Sequence, residues 1–258
     1  DIRRVVHWGV AKSMEEYYQQ VGRAGRDGLP SDCYTFFKPS DFTKFKDPFW
    51  WKGTPAEQMP DRLAGLDTFR TFCESTTNCK RRDILVHFNE TPTFETCANC
   101  CNCLRAGDPA MRPRDFTNEA ISVMTAVQSF RGGASKTKLL PEVAKAYTRL
   151  RRKLGQALPH RTNDFFEKLL SPLAMAGFLV RSAVKGSYRT YEVFQMSANA
   201  HAFQSAYDGS QRIKLPPPIS MPQAVGSMFS CGHVTARKTP KRKRVRTCRG
   251  AGCRGADL

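Results

Sequence analysis

The chain has 258 residues, a formal net charge of +18 and an apolar fraction of 40%, a composition that fits two or three small domains. No apolar run approaches the ~18 residues needed to span a membrane, and no signal peptide opens the chain, so we expect no membrane partner. The charge is uneven. Residues 1–130 carry 17 basic and 17 acidic residues, 131–192 carry 13 and 4, and 231–258 carry 9 and 1. Two separate basic segments indicate two polyanion contacts.

The first 37 residues predict a strand, a helix, a loop and a second strand. Residues 2–10 are rich in β-branched side chains, which favours a strand. Ser13 can cap a helix over residues 14–21, with Glu16 at the capping-box position. A second buried strand is predicted at residues 33–37. This order fits the end of an α/β lobe of the RecA type, and we place that domain at residues 1–47.

The loop after the predicted helix contains two arginines among small residues. Residues 19–28 read Gln-Gln-Val-Gly-Arg-Ala-Gly-Arg-Asp-Gly, a pattern that resembles the sixth motif of superfamily-2 helicases. Arg23 and Arg26 suit contact with a phosphate held by a neighbouring lobe. The alternative is a pair of surface arginines bound to carboxylates. The chain begins at Asp1 without a methionine and contains no P-loop pattern, so we expect a C-terminal piece of a larger motor.

Short cysteine spacings predict a metal site. Ten cysteines without a secretory signal favour metal binding over disulfides. Zinc requires four tetrahedral ligands, and a fully thiolate site leaves no open position for water, which indicates a structural role. Cys101 could compete with Cys100, and Cys73 is expected in a core; the alternative is a set of reduced, buried cysteines. The predicted ligands follow the spacing C-x17-C-x2-C-x2-C: Cys79, Cys97, Cys100 and Cys103.

Helical periodicity surrounds this site. Residues 38–60 are rich in proline and aromatic residues and predict a linker, whereas the apolar spacing over residues 61–88 is helical. We therefore expect a helical zinc module at residues 61–104.

A winged helix is predicted after the cysteines. Residues 116–130, 136–147 and 163–176 have helical patterns, and residues 178–196 predict a hairpin that turns at residues 185–187. Three helices followed by a two-stranded wing form an α+β winged helix, placed at residues 114–203. From residue 216 the chain is rich in proline and then basic, which predicts a disordered basic tail over residues 216–258.

The order of these motifs resembles the RecQ-family DNA helicases over residues 1 to about 203. The resemblance is carried by residues 5–28, by Cys79-Lys-Arg-Arg with Phe88-Asn-Glu90, and by the cysteine cluster about 50 residues after the arginine motif. It implies two RecA-like lobes that bind ATP and Mg²⁺ in the complete protein. It also implies 3′-to-5′ unwinding of forked or duplex DNA in repair, recombination or replication, with repair proteins as possible partners.

The resemblance also implies roles for individual residues. Arg26 would be the arginine finger at the γ-phosphate, and Arg23 would support it or contact phosphate. Gln20 would lie at the nucleotide, where the family usually has Glu, and Ala11 replaces a usual Pro. Tyr188 matches the aromatic residue that wedges into the duplex end in some members. Basic residues near the hairpin and the helix starts would bind phosphate, unless they are ordinary solvated charges: Arg181, Lys185, Arg189, Lys136, Lys138 and Arg161.

The basic run at residues 237–246 predicts nuclear import, and hence a nuclear location, or else a non-specific nucleic-acid contact. A second zinc site from Cys231, His233, Cys248 and Cys253 is a weaker alternative, because the spacing matches no known module. Two other functions stay open: a non-catalytic zinc- and DNA-binding protein derived from a helicase, and an RNA helicase of the same superfamily.

Overall fold

The structure, a computed structural model, describes residues 2–155 and 158–218 together with the backbone of residues 227–232. No helix in these ranges is both long and apolar enough to cross a membrane. The buried side chains form two hydrophobic cores. Among the described residues, the first core draws on residues 11–101 and the second on residues 116–215, so these two stretches fold as consecutive packing units.

A parallel pair of strands joined by a helix begins the first unit. Strand β1 is Arg4–Trp8 and strand β2 is Asp32–Phe37. Helix α1, Met14–Val21, connects them. The Glu16 amide donates a hydrogen bond of 3.2 Å to Ser13 Oγ, which satisfies one of the free amides at the helix start. The predicted strand–helix–strand order and its cap are therefore present.

Helices complete the first unit. The predicted helical run over residues 61–88 is divided in two by the loop at residues 75–79, and the predicted linker contains a further helix and two short 3₁₀ turns, at Pro48–Trp51 and Ala56–Gln58. The loop ends one helix and brings Cys79 to the start of the next. The four helices are α2 (Pro39–Lys44), α3 (Met59–Glu74), α4 (Lys80–His87) and α5 (Cys101–Arg105).

Aromatic rings bind the sheet and these helices into one core. Phe69 of α3 lies 5.2 Å from the ring of Tyr17 in α1 and 6.2 Å from the ring of Phe42 in α2, measured between centroids. All three side chains are buried. Each large apolar side chain stabilises the fold by about 1.5–3 kcal/mol when fully buried. Because these rings pack in one cluster with the buried residues near the cysteines, the arginine-motif helix and the cysteine region share one core.

Three helices and a three-stranded sheet make up most of the second unit. The sheet order is β4–β6–β5, with antiparallel pairing throughout. The predicted helices and hairpin are present, although the second helix continues through Pro141 to Lys153 instead of ending at residue 147. The elements are β3 (Arg114–Asp115), α6 (Thr117–Gln128), β4 (Ala134–Ser135), α7 (Lys136–Lys153), α8 (Asn163–Met175), β5 (Leu179–Lys185) and β6 (Thr190–Met196).

The chain closes this unit by returning to its beginning. After helix α9, Ala198–Ala206, strand β7, Lys214–Leu215, pairs with β3. The Ile213 amide donates a hydrogen bond of 2.8 Å to Thr117 Oγ1, and the Phe116 amide donates one of 3.0 Å to the Ile213 carbonyl. The second unit therefore extends beyond residue 203, to at least Leu215.

A last strand belongs to the first sheet. Strand β8, Ser227–Gly232, pairs antiparallel with β2, so that sheet has the order β1–β2–β8. The sequence predicted disorder from residue 216 onward, and β8 departs from that expectation. The basic run at residues 237–246 and the side chains of the possible second zinc site lie outside the described residues.

Candidate zinc centre and nucleic-acid interface

Four cysteine sulfurs converge in the first unit. The Sγ atoms of the four predicted ligands all lie within 4.8 Å of one another, and those of Cys97 and Cys103 are 3.9 Å apart. Four thiolates bound ~2.3 Å from one zinc ion stand about 3.8 Å apart, so the cluster fits tetrahedral zinc. Cys79 and Cys100 are buried, and the other two are half-buried. A site of four thiolates is closed to water and therefore structural.

Backbone amides orient these thiols. Cys100 Sγ accepts hydrogen bonds from the amides of Lys80 (3.3 Å) and Cys103 (3.5 Å), and Cys97 Sγ accepts one from the Cys100 amide (3.2 Å). Burial opposes ionisation, but these donors outweigh it at Cys100 and lower its pKa, whereas burial raises the pKa of Cys103 to about 12. Zinc binding therefore displaces protons, and its free energy contributes to folding.

The buried side-chain amide of Asn102 connects helix α5 to the loop before Cys79. Asn102 Nδ2 donates to the carbonyls of Ser75 (3.0 Å) and Asn78 (2.7 Å). Asn102 could not be recognised from the sequence, because its partners lie more than twenty residues away. Cys101 is buried in the first core beside Asn102, and Cys73 is buried there too. The four-sulfur cluster therefore contains Cys100 and not Cys101.

The arginine motif forms a tight turn after α1. Gly25 has a φ of +65°, and a Cβ there would lie 2.8 Å from the Leu29 carbonyl oxygen, so no side chain fits. Arg23 and Arg26 are exposed. Neither forms an ion pair with any described residue, and Arg26 Nε lies 3.4 Å from the Gly22 carbonyl. The alternative of two arginines bound to local carboxylates therefore has no support in the described part of the chain.

Gln20 lies on the last turn of α1. Its amide donates a hydrogen bond of 3.1 Å to Glu16 Oε1, and its side chain is half-buried. The same helix contacts the cysteine region, because His87 Nε2 of α4 is 2.5 Å from Glu15 Oε1 and the rings of Tyr18 and Phe88 are 4.9 Å apart. Cys79 precedes α4 directly, so these contacts link the helix of the arginine motif to the helix that follows a zinc-site cysteine.

The hairpin of β5 and β6 presents an aromatic tip. Tyr188 is 101% exposed in the turn between the strands. Lys185 and Arg189 flank it, are exposed, and have no ion-pair partner among the described residues. Lys138 at the start of α7 is exposed in the same way. These four predicted contact residues are therefore accessible to a polyanion.

Three other predicted phosphate contacts have acidic partners instead. Arg181 is 15% exposed and donates to Glu74 at 2.6 Å. Arg161 donates to the buried carboxylate of Glu119 at 2.8 Å and lies 4.2 Å above the ring of Phe165. For these two arginines the phosphate contact stays a prediction, and in this structure carboxylates balance their charges. Lys136 pairs with Glu167 at 2.5 Å but stays 38% exposed.

The Arg181 pair belongs to a buried ionic network between the two units. Glu74 and Arg70 of α3 pair at 2.7 Å, and Arg70 also pairs with Glu192 of β6. Ser171 of α8 donates a hydrogen bond of 2.7 Å to Glu74. Burial would raise the pKa of Glu74, but the two guanidinium groups outweigh that effect and lower it. The network thus fixes the hairpin against the helix that leads to the zinc centre.

Comparison with known proteins agrees with the cysteine geometry. Residues 39–104, which contain the whole cluster, match the RecQ zinc-binding family. The chain is 34% identical over 137 residues to the ATP-dependent helicase SGS1 of Saccharomyces cerevisiae (51% of this chain, 9% of that protein). It is 28% identical over 213 residues to the bifunctional 3′-5′ exonuclease/ATP-dependent helicase WRN of Mus musculus (73% and 15%). It is 28% identical over 169 residues to the ATP-dependent DNA helicase Q-like 2 of Arabidopsis thaliana (66% and 21%). The chain spans less than a quarter of the length of each of these relatives.

Proposed function

We propose that this chain, which belongs to the RecQ helicase family, is the C-terminal part of a 3′-to-5′ ATP-dependent DNA helicase that unwinds forked or duplex DNA. The proposal rests on the physical connection between the zinc site and the hairpin. A four-thiol cluster in the region of the RecQ zinc-binding family is fixed by a buried ionic network to a hairpin with a free aromatic tip. We place the protein in the nucleus, in DNA repair, recombination or replication.

The second unit would act as a winged helix on the DNA. Its three helices and β4–β6–β5 sheet support this assignment, and the hairpin would be the wing. Tyr188 would stack on the last base pair of the duplex, while Lys185 and Arg189 would contact phosphates on either side. Base stacking on an aromatic ring is worth ~1–3 kcal/mol per base and is tolerant of sequence. Phosphate contacts position the protein without reading sequence.

The first unit would complete the nucleotide site of the full-length protein as the end of its second RecA-like lobe. Arg26 would stabilise the negative charge that spreads over the transferring phosphoryl group, a contribution typically worth ~10³–10⁵ in rate. Arg23 would support it, and Gln20 would line the nucleotide. ATP bound with Mg²⁺ supplies the phosphoryl-transfer chemistry. The 258 residues contain no P-loop pattern, so ATP hydrolysis requires residues beyond these.

Two other functions make different predictions. A non-catalytic zinc- and DNA-binding protein would bind forked DNA equally well, but the complete protein would not hydrolyse ATP. An RNA helicase of the same superfamily would prefer an RNA fork.

The proposal is tested by binding of the zinc-loaded chain to fluorescent forked DNA, blunt duplex DNA and forked RNA at several salt concentrations. We expect the DNA fork to bind more tightly than the RNA fork, with affinity that falls steeply as salt rises. Replacing Lys185 and Arg189 together by Gln should weaken fork binding and lower the salt dependence. The matched control is Arg62→Gln, an exposed arginine at the start of α3, which should change neither. Absence of DNA binding, or preference for RNA, would overturn the proposal.

A further inference from the structure

Exposed aromatic rings lie on the 3₁₀ turn between α2 and α3. Phe49 is 60% exposed and Trp50 is 40% exposed. The neighbouring Trp51 is half-buried, and its indole Nε1 donates a hydrogen bond of 2.5 Å to the Phe45 carbonyl. Asp47 caps the turn by accepting a hydrogen bond of 2.9 Å from the Phe49 amide. The capped turn therefore holds the rings of Phe49 and Trp50 at the surface, and the hydrogen bond of Trp51 fixes the turn to the end of α2.

Two lysines accompany these rings. Lys52 Nζ lies 4.4 Å from the centroid of the Phe49 ring, and Lys44 Nζ lies 5.3 Å from that of Trp50. Both lysines are exposed, and neither pairs with a carboxylate in the described parts of the chain. The nearby Lys46 differs, because it pairs with Asp67 at 2.7 Å. Lys44 and Lys52 can therefore pair with an anionic ligand. A planar group that stacks on the rings of Phe49 and Trp50 can displace the weak contacts between these rings and the lysines.

The turn lies against the start of β6, next to the tip of the hairpin. Thr190 Oγ1 donates a hydrogen bond of 3.2 Å to Asp47 Oδ2. Thr190 is the first residue of β6, two positions after Tyr188, and pairs with Lys185 across the hairpin. The aromatic turn therefore lies close to the hairpin tip, and this part of the described structure combines exposed rings with basic side chains that have no carboxylate partner.

We propose that the turn Pro48–Trp51 is a stacking platform for single-stranded DNA. On this assignment Phe49 and Trp50 stack on unpaired bases, while Lys44 and Lys52 bind the adjoining phosphates. The strand occupying it is one that leaves the duplex beside Tyr188. The inference rests on the proposed function, because it takes the hairpin as the point where the duplex ends.

Single-stranded nucleic acid suits this surface better than a duplex or a protein. In a duplex the bases are stacked on one another and present no free face to a ring, whereas unpaired bases do. A partner that buried the rings through apolar contact alone would leave the charges of Lys44 and Lys52 without partners, a poor arrangement within an interface. Phosphates next to stacked bases satisfy rings and charges together.

Binding of a fluorescent single-stranded oligomer of fifteen thymidines, called dT15 below, to the zinc-loaded chain tests the inference. We expect Phe49→Ala to weaken dT15 binding by roughly 5- to 140-fold, the effect of losing one stacked base. Phe49→Trp should retain binding, and Phe49→Leu, which is apolar but not aromatic, should not. Replacing Lys44 and Lys52 together by Gln should reduce the slope of log affinity against log salt by about 1.4, since each phosphate contact on a single strand contributes ~0.7.

Two controls separate this inference from the proposed function. Trp8→Ala removes a ring that is 78% exposed on β1 and should leave dT15 binding unchanged. Blunt duplex binding should depend on Lys185 and Arg189 but not on Phe49. If the wild-type chain binds forks but Phe49→Ala and Trp50→Ala bind dT15 normally, the platform is refuted and the proposed function stands. If the wild-type chain binds no DNA, both fail together. Zinc content and melting temperature verify that each variant is folded.

Discussion

Glu74 at the end of α3 accepts a hydrogen bond of 2.6 Å from Arg181 on β5, with both side chains largely removed from solvent. The two residues are 107 positions apart in sequence. Cys79 follows Glu74 by five residues, so this ion pair joins the helix that leads to the zinc centre to the hairpin that carries Tyr188. The orientation of the proposed wing therefore depends on a few buried charges.

Replacing Glu74 by Gln should destabilise the chain by about 3–5 kcal/mol, because Arg70 and Arg181 lose a buried carboxylate that balances their charges. Urea unfolding monitored by tryptophan fluorescence measures this change. The control is Glu142→Gln, which removes an exposed pair with Lys145 and should change stability by less than ~0.5 kcal/mol. Equal, small effects for both variants would contradict a structural role for the network.

The contact between α1 and α4 should make stability depend on pH. Burial would raise the pKa of Glu15, but hydrogen bonds from His87 and Ser13 outweigh it and lower the pKa to about 2. A depressed carboxyl pKa stabilises the fold above the unfolded value of ~4.5, and this contribution is lost as pH falls toward 2. The side chain of Glu15 is 53% exposed, so solvent screening should keep the contribution below about 1 kcal/mol.

Thermal unfolding of Glu15→Gln and the wild-type chain between pH 3 and 6 tests this expectation. The gap between their melting temperatures should be constant above pH ~5.5 and should narrow below pH ~4.5. Glu57→Gln, which changes an exposed carboxyl in the second 3₁₀ turn, should follow the wild-type curve throughout. A gap that is independent of pH would show that ionisation of Glu15 is not the cause.

Cys97→Ser should abolish stoichiometric zinc binding, because three thiolates no longer close the tetrahedral site. Zinc released by denaturation and measured colorimetrically gives the metal content, and limited proteolysis reports on folding of residues 75–105. Cys33→Ala is the matched control, since Cys33 is buried on β2 outside the cluster, and this variant should keep its zinc. Normal zinc content in Cys97→Ser would refute the ligand assignment.

Local patterns explain what could be predicted from the sequence. The cysteine spacing predicted that the sulfurs of Cys97, Cys100 and Cys103 converge, because cysteines three positions apart on one turn must lie close together. The cap at Ser13 was predictable for a similar reason, since its Oγ accepts a hydrogen bond of 3.2 Å from an amide three residues away. Contacts within a few residues are encoded by the residues themselves.

Contacts over long sequence separations were not predictable. Arg181 was expected to bind phosphate, as basic residues on a hairpin often do, because nothing near it in sequence indicates the carboxylate of Glu74. The break between α3 and α4 was missed because residues 61–88 were treated as one helical run, although the polar residues 75–78 interrupt the apolar pattern. The loop places Cys79, and its carbonyls accept the hydrogen bonds of Asn102. Strand β8 escaped prediction because its pairing partner, β2, lies almost 200 residues earlier.

In the complete protein, Arg26→Ala should lower ATP turnover by roughly 10³- to 10⁵-fold while leaving DNA binding unchanged. Arg26→Lys should not restore turnover, since an ammonium group lacks the planar fork of a guanidinium. Steady-state ATPase assays and fork-binding titrations provide the two measurements, with Arg62→Ala as an exposed arginine control. Unchanged turnover would overturn the finger assignment for Arg26, and a parallel loss of DNA binding would indicate a structural role.

Tyr188→Ala should reduce unwinding of forked DNA in the complete protein more than it reduces fork binding. The ring is fully exposed and outside both hydrophobic cores, so its removal should not change the stability of the fold. Loss of its stacking on the last base pair should destabilise the strand-separated complex by ~1–3 kcal/mol. Stopped-flow unwinding and fork titration measure the two effects, and Tyr188→Phe should retain both because stacking does not need the hydroxyl. Equal losses of unwinding and binding would place Tyr188 among the phosphate contacts instead of at the point of strand separation.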